Sequence, residues 1–150
     1  MKKFVCFWLF CFSFLFFAFY GWNKKLPNEF VGCDLQIFCS TSQQPNCEYQ
    51  NIKNGEGCVY FSKYSEQTSL LNNLNGVEGI TYVISGNYID YCNLQNKLGI
   101  NCIEKTNDSC VGFCDYFGMS TFYNGKKVNV QMSFSQGKIY IGTPLILGCY

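Results

Sequence analysis

Residues 4–22 run nineteen positions without a charged side chain, and that run limits what the rest of the chain can become. Lys2 and Lys3 precede it, and eight of the fifteen Phe fall inside it. A helix of this composition has no polar face, so a domain this small cannot surround it. At about 1.5 Å per helical residue it spans much of a bilayer. The pattern reads as an export signal over residues 1–22, either a cleaved signal peptide or a retained signal anchor. Residues 23–150 are then a domain that is secreted or otherwise extracytoplasmic, or that is anchored in the membrane only through residues 4–22.

Charge and residue types remove whole classes of function. Beyond residue 22 stand nine Lys and ten acidic residues, and there is no Arg or His anywhere in the chain. A nucleic-acid binder needs a basic excess on one face, which this balance does not supply. Without histidine, Ser-His and Cys-His catalysis and His-ligated metal sites are closed. Without arginine there are no bidentate phosphate clamps. No cofactor is indicated.

An exported chain pairs its thiols. Nine cysteines lie beyond residue 22: Cys33, Cys39, Cys47, Cys58, Cys92, Cys102, Cys110, Cys114 and Cys149. No two stand as C-x-x-C, so redox and zinc-knuckle patterns are absent, and structural disulfides are the expectation for all nine positions. Spacing alone does not fix their connectivity. The odd count leaves one thiol free or linked to a second chain as a disulfide-linked homodimer.

Residues 23–64 are polar, with four cysteines, and read as an irregular, disulfide-stapled part packed on a main fold at 65–150. Val59–Phe61 is a candidate short strand. Leu70, Leu71 and Leu74 before Gly76 suggest a helix within Ser65–Asn75. Gly79–Ser85 is β-branched and aromatic and reads as a strand. After it, either Gly86-Asn87 turns a hairpin, or Asp90 caps a helix over 90–98 with Tyr91, Leu94 and Leu98 on one face and Gly99 just past its end. The helix is the preferred reading. Asn101–Tyr116 reads as a loop, and Asn107-Asp108-Ser109 is a glycosylation sequon, placing Asn107 on the surface.

The last third is a C-terminal β-meander. Asn124-Gly125 is a type I′ hairpin signal. From Lys127 to Phe134, Val128, Val130, Met132 and Phe134 alternate with Asn129, Gln131 and Ser133, the period of a half-buried antiparallel strand. Ser135-Gln136-Gly137 turns the chain, and Lys138–Ile141 returns. The fold class is therefore β-rich, with α+β possible: a small disulfide-stabilised antiparallel β domain with one or two short helices.

For function, the default is an exported interaction module acting on a protein or glycan of a host or cell surface. The tyrosines Tyr82, Tyr88, Tyr91, Tyr116, Tyr123 and Tyr140 offer contact area with a polar tip. A small carboxylate-dependent hydrolase would draw on Glu78, Asp90, Glu104 and Asp115, since two-carboxylate chemistry needs no histidine. The expectation is that the chain is not an enzyme. In layout, with 37 Phe, Cys and Tyr and an apolar leader, it resembles the short secreted accessory proteins of large RNA viruses. That resemblance implies an immunoglobulin-like, disulfide-bonded domain. The order of apolar helix, then helix and antiparallel sheet, is also similar to pilin-like surface subunits, but the Gly-Phe-Thr-Leu-Ile-Glu processing site is missing.

Overall fold

A computed structural model of the chain describes residues 24–40, 49–51, 57–66, 71 and 73–147. The expected export segment 1–22, Cys47 and Cys149 lie outside the described residues, as does much of the helix expected within Ser65–Asn75. No helix among the described residues is long and apolar enough to cross a membrane.

The strands are β1 (Asp34–Cys39), β2 (Tyr49–Asn51), β3 (Cys58–Lys63), β4 (Val77–Ser85), β5 (Asn101–Lys105), β6 (Ser109–Phe113), β7 (Thr121–Tyr123), β8 (Lys126–Val128), β9 (Val130–Ser135) and β10 (Lys138–Thr143), with one helix, α1 (Tyr88–Leu98), between β4 and β5. Eight of them form one sheet in the order β2-β3-β1-β4-β10-β9-β6-β5, and β7 and β8 form a separate hairpin. Every pairing is antiparallel. An immunoglobulin-like sandwich divides its strands between two facing sheets, a different arrangement.

β4 sits between β1 and β10, and its residues Gly79 to Val83 are all buried. A run buried on consecutive positions needs cover on both faces. One face carries the core. Registers Leu35↔Tyr82, Ile37↔Ile80, Ile141↔Tyr82 and Ile141↔Met132 place these side chains together. Over them lie Tyr91, Leu94 and Leu98 of α1 and Phe30 of a short 3₁₀ turn, whose ring meets Tyr82 edge-on at 5.1 Å. The other face is crossed by the chain after the cis Thr143–Pro144 peptide. There the Ile146 amide donates to Gln131 Oε1 at 3.1 Å. The crossing needs glycine beneath it: a Cβ at Gly142 would stand 2.5 Å from Ile146 Cα, and one at Gly79 would stand 2.8 Å from Leu147 Cδ1.

α1 begins at Tyr88, two residues before its expected start at Asp90. Asn87 is the N-cap, accepting from the amides of Ile89 and Asp90, while Asp90 reaches back to the Asn87 amide in a capping box. Gly99 ends the helix in the left-handed region, φ 61°, as the sequence implies.

Three expectations are corrected. The segment 23–64 is not an irregular annex: β1 lies inside the sheet between β3 and β4, because Leu35, Ile37 and Cys39 present an alternating apolar face that flanking polar residues dilute in any average. Asn101–Tyr116 is not a loop: β5 and β6 form a hairpin at the sheet edge, where Lys105 and Glu104 can face water. The strand expected from Lys127 to Phe134 is broken at Asn129, which is 1% exposed and separates β8 from β9. The two turns around these strands are as the sequence implies, with positive φ at both Asn124 and Gly125 and at both Gln136 and Gly137.

Backbone approach at the edge hairpin gives a prediction. A Cβ at Gly112 would stand 2.8 Å from Asn101 C and 2.9 Å from Cys102 Cα, both backbone atoms that cannot swing away. Gly112→Ala is expected to cost about 2 kcal/mol or more. Gly118→Ala, where a Cβ meets nothing within 4 Å, is expected to stay within about 0.5 kcal/mol. Urea denaturation of the two variants checks the difference.

Candidate functional site

The segment from Phe113 to Ser120 leaves β6, skirts the end of the sheet and enters the β7–β8 hairpin. It is held from below by one side chain. Asn129 Oδ1 accepts from the Cys114 amide at 2.8 Å, and Asn129 Nδ2 donates to the Cys114 and Phe117 carbonyls, each at 2.7 Å. Its own amide donates to the Gly112 carbonyl at 3.0 Å. The side chain thus serves buried backbone groups that no ladder reaches, which is how a buried polar residue escapes a desolvation penalty. Phe117 turns inward beneath this bend and packs against Tyr82 at 5.9 Å.

Above the bend lies an open cleft of about 370 Å³, lined by Lys24, Phe113, Cys114, Asp115, Tyr116, Phe117, Gly118, Ser120 and Lys127. Phe113 is 41% exposed at its wall. Phe122 pairs directly across β7–β8 with Lys127, so the two side chains share a face, and Phe122 is 76% exposed. Lys24 pairs with Asp115 at 3.0 Å and lies 5.5 Å from the centre of the Tyr116 ring. The cleft is therefore an aromatic surface flanked by two lysines.

The chemistry of this cleft suits contact more than turnover. The hydrogen bond from Lys24 to Asp115 raises the lysine above its ordinary value, so it is held protonated and is no base. Burial raises the Cys114 thiol, which keeps it in the less nucleophilic form.

The carboxylates considered for hydrolysis stand on separate elements. Asp90 caps α1, and Asp115 pairs with Lys24. Glu104 on β5 accepts from Tyr123 Oη at 3.3 Å and Asn124 Nδ2 at 3.4 Å, tying the small hairpin to the sheet edge. Glu78 is exposed on β4. Among the tyrosines, Tyr82 and Tyr91 are core residues, Tyr88 is exposed on α1, and Tyr116 lines the cleft. Asn107 is exposed in the β5–β6 turn, where its carbonyl accepts from Tyr88 Oη at 2.7 Å.

The seven described cysteines are in the thiol form. Cys33, Cys39, Cys58, Cys110 and Cys114 are buried, and Cys92 and Cys102 are half-buried. Burial pushes the Cys33 thiol up to about 11.

Sequence reasoning missed Asn129, Phe113, Phe122 and both cleft lysines. For Asn129 no local signal exists, since it occupies an outward phase of an alternating run. For the cleft wall a signal was present: Phe113, Tyr116 and Phe117 crowd a stretch that ends at Gly118. No family model, no curated protein and no solved structure matches the chain, so the site is read from its own geometry.

Two predictions belong to this site. Asn129→Ala strands two carbonyls and one amide and is expected to cost about 3 kcal/mol. Asn129→Asp is also destabilising, because a carboxylate cannot donate to the Cys114 and Phe117 carbonyls. Chemical denaturation measures both. In reducing buffer, stability is expected to fall as pH rises from 9.0 to about 11. In that window the unfolded chain sheds the Cys33 proton while the folded chain retains it, so the folded state binds more protons and loses ground. Cys33→Ala flattens the fall.

Proposed function

We propose that the chain is an exported interaction module that binds a macromolecule on a cell surface, protein or glycan, through the aromatic cleft beside the β7–β8 hairpin. The observation that carries this reading is the exposed ring of Phe113 in a cleft with Lys24, Tyr116 and Lys127, together with exposed Phe122 directly across the hairpin from Lys127. Folded domains expose single large apolar side chains without consequence, but aromatic groups beside a concavity with a polar rim are where binding energy concentrates. The cleft floor is pinned by Asn129, so little conformational freedom has to be lost on binding.

The reading is non-enzymatic. It is supported by the four candidate carboxylates standing on separate elements and by the protonated state of Lys24 and Cys114. Export through residues 1–22 and glycosylation at Asn107, exposed in the β5–β6 turn, belong to the same proposal.

The test is binding of the fluorescently labelled chain to intact cells. Phe113→Ser with Phe122→Ser is expected to weaken binding about tenfold or more. Val31→Ser, at a comparably exposed site that does not line the cleft, leaves it unchanged. Pretreating the cells with protease or with glycosidase distinguishes a protein partner from a glycan. Equal binding by the double variant and the parent would overturn the assignment to this cleft.

A further inference from the structure

Two pairs of cysteines are brought together by strand register, one toward each flank of the main sheet. Cys39 and Cys58 are direct Cα partners in the β1–β3 ladder, and both are buried on the core face. Directly opposed residues of an antiparallel pair lie about 4.5 or 5.5 Å apart at Cα, depending on the hydrogen-bonding phase. A disulfide accepts about 4.4–6.8 Å, so either phase fits. Burial, then the neighbouring Cys58, raises the Cys39 thiol.

The second pair lies in the β5–β6 hairpin. Opposite residues there are Cys102↔Gly112 and Lys105↔Cys110, with a bulge between Cys102 and Glu104. Cys102 and Cys110 thus share one face on a diagonal, and Gly112 places no side chain between them. α1 covers this face: Gln95 Nε2 donates to Cys102 Sγ at 3.2 Å and Lys105 Nζ donates to Gln95 Oε1 at 3.2 Å. Cys102 and Tyr91 both stand close enough to Cys110 to act on its thiol, which burial and then the neighbouring Cys102 raise.

We infer that the oxidised protein carries two disulfides, Cys39–Cys58 and Cys102–Cys110, stapling β1 to β3 and β5 to β6. The inference rests on the export reading only for its oxidant in the cell. The oxidant is a disulfide, either a small-molecule one such as glutathione disulfide or that of an oxidoreductase. One cysteine thiolate attacks it, forming a mixed disulfide and expelling one reduced thiol. The second cysteine thiolate attacks the protein sulfur of that mixed disulfide, forming the new S–S bond and expelling the second reduced thiol. The protein gives up two electrons and two protons per bond, and the oxidant takes both electrons and, as its thiolates protonate, two protons. Because burial holds Cys39 and Cys110 protonated in the finished fold, the exchange completes while the strands assemble. Four of the nine cysteines beyond residue 22 are then assigned. Five remain, Cys33, Cys47, Cys92, Cys114 and Cys149, an odd number that leaves a thiol for an intermolecular link.

The test uses the full-length chain in mild detergent, reduced, unfolded and refolded in a buffer of reduced and oxidised glutathione. It is then alkylated, digested without reduction and mapped by mass spectrometry. The expected result is two linked peptide pairs, Cys39 with Cys58 and Cys102 with Cys110, each two hydrogens lighter than its separate peptides. Cys58 or Cys39 linked to Cys47, Cys102 or Cys110 linked to Cys92, or all four alkylated would overturn it. Cys102→Ala keeps the test decisive if the parent refolds poorly: Cys110 should become alkylated while the Cys39–Cys58 link persists. The location of the chain in cells is read separately by fractionation. Correct links in a protein found only in the cytosol would sink export and leave the pairing standing.

Discussion

One buried amide, that of Asn129, decides how the two β-sheets among the described residues meet. β8 and β9 are adjacent in sequence, separated by this single residue, yet they belong to different sheets. At the junction the chain gives up ladder partners, and the Asn129 side chain replaces them for the Cys114–Phe117 bend. Without that replacement, buried carbonyls and an amide would be stranded, and the bend would have no reason to hold one shape. The cleft above it, the inward turn of Phe117 against Tyr82 and the outward placement of Phe113 all follow from where this bend sits.

The main sheet solves a related problem at its centre. β4 is buried on both faces although α1 lies over only one of them. The second cover is the chain's own segment beyond Pro144, which approaches so closely that Gly142 and Gly79 lie beneath it. Backbone contact of that kind leaves no room for a side chain, so both positions are set by packing and not by turn geometry. Aromatic contacts among Phe30, Tyr82 and Phe117 then join the 3₁₀ turn, the central strand and the cleft floor into one core.

What the sequence made legible was local. The β-branched run of β4, the left-handed cap at Gly99 and the two hairpin turns each rest on neighbouring residues alone. The β5–β6 hairpin escaped because an edge strand tolerates Asn, Glu and Lys, which read as loop. β1 escaped because its apolar face, Leu35, Ile37 and Cys39, is short and lies in a polar neighbourhood. Asn129 was misassigned for a deeper reason. Alternation predicts facing only while the strand stays in one sheet, and here the chain changes sheets at that residue. The proximity of Cys39 to Cys58 and of Cys102 to Cys110 was likewise invisible, since it is set by register between strands. The cleft residues come from Lys24, the β6 end and the β7–β8 hairpin, which only the fold brings together.

Backbone hydrogen exchange of the native chain tests most directly whether the cleft stands on a floor pinned by Asn129. If it does, the Cys114 amide, bonded to Asn129 Oδ1, exchanges only through unfolding large enough to break the sheet, at a rate like that of the β4 amides. The amide of the neighbouring exposed Gly118 exchanges fast. Exchange at Cys114 as fast as at Gly118, with β4 still protected, would show a bend that opens independently of the sheet and would contradict the account.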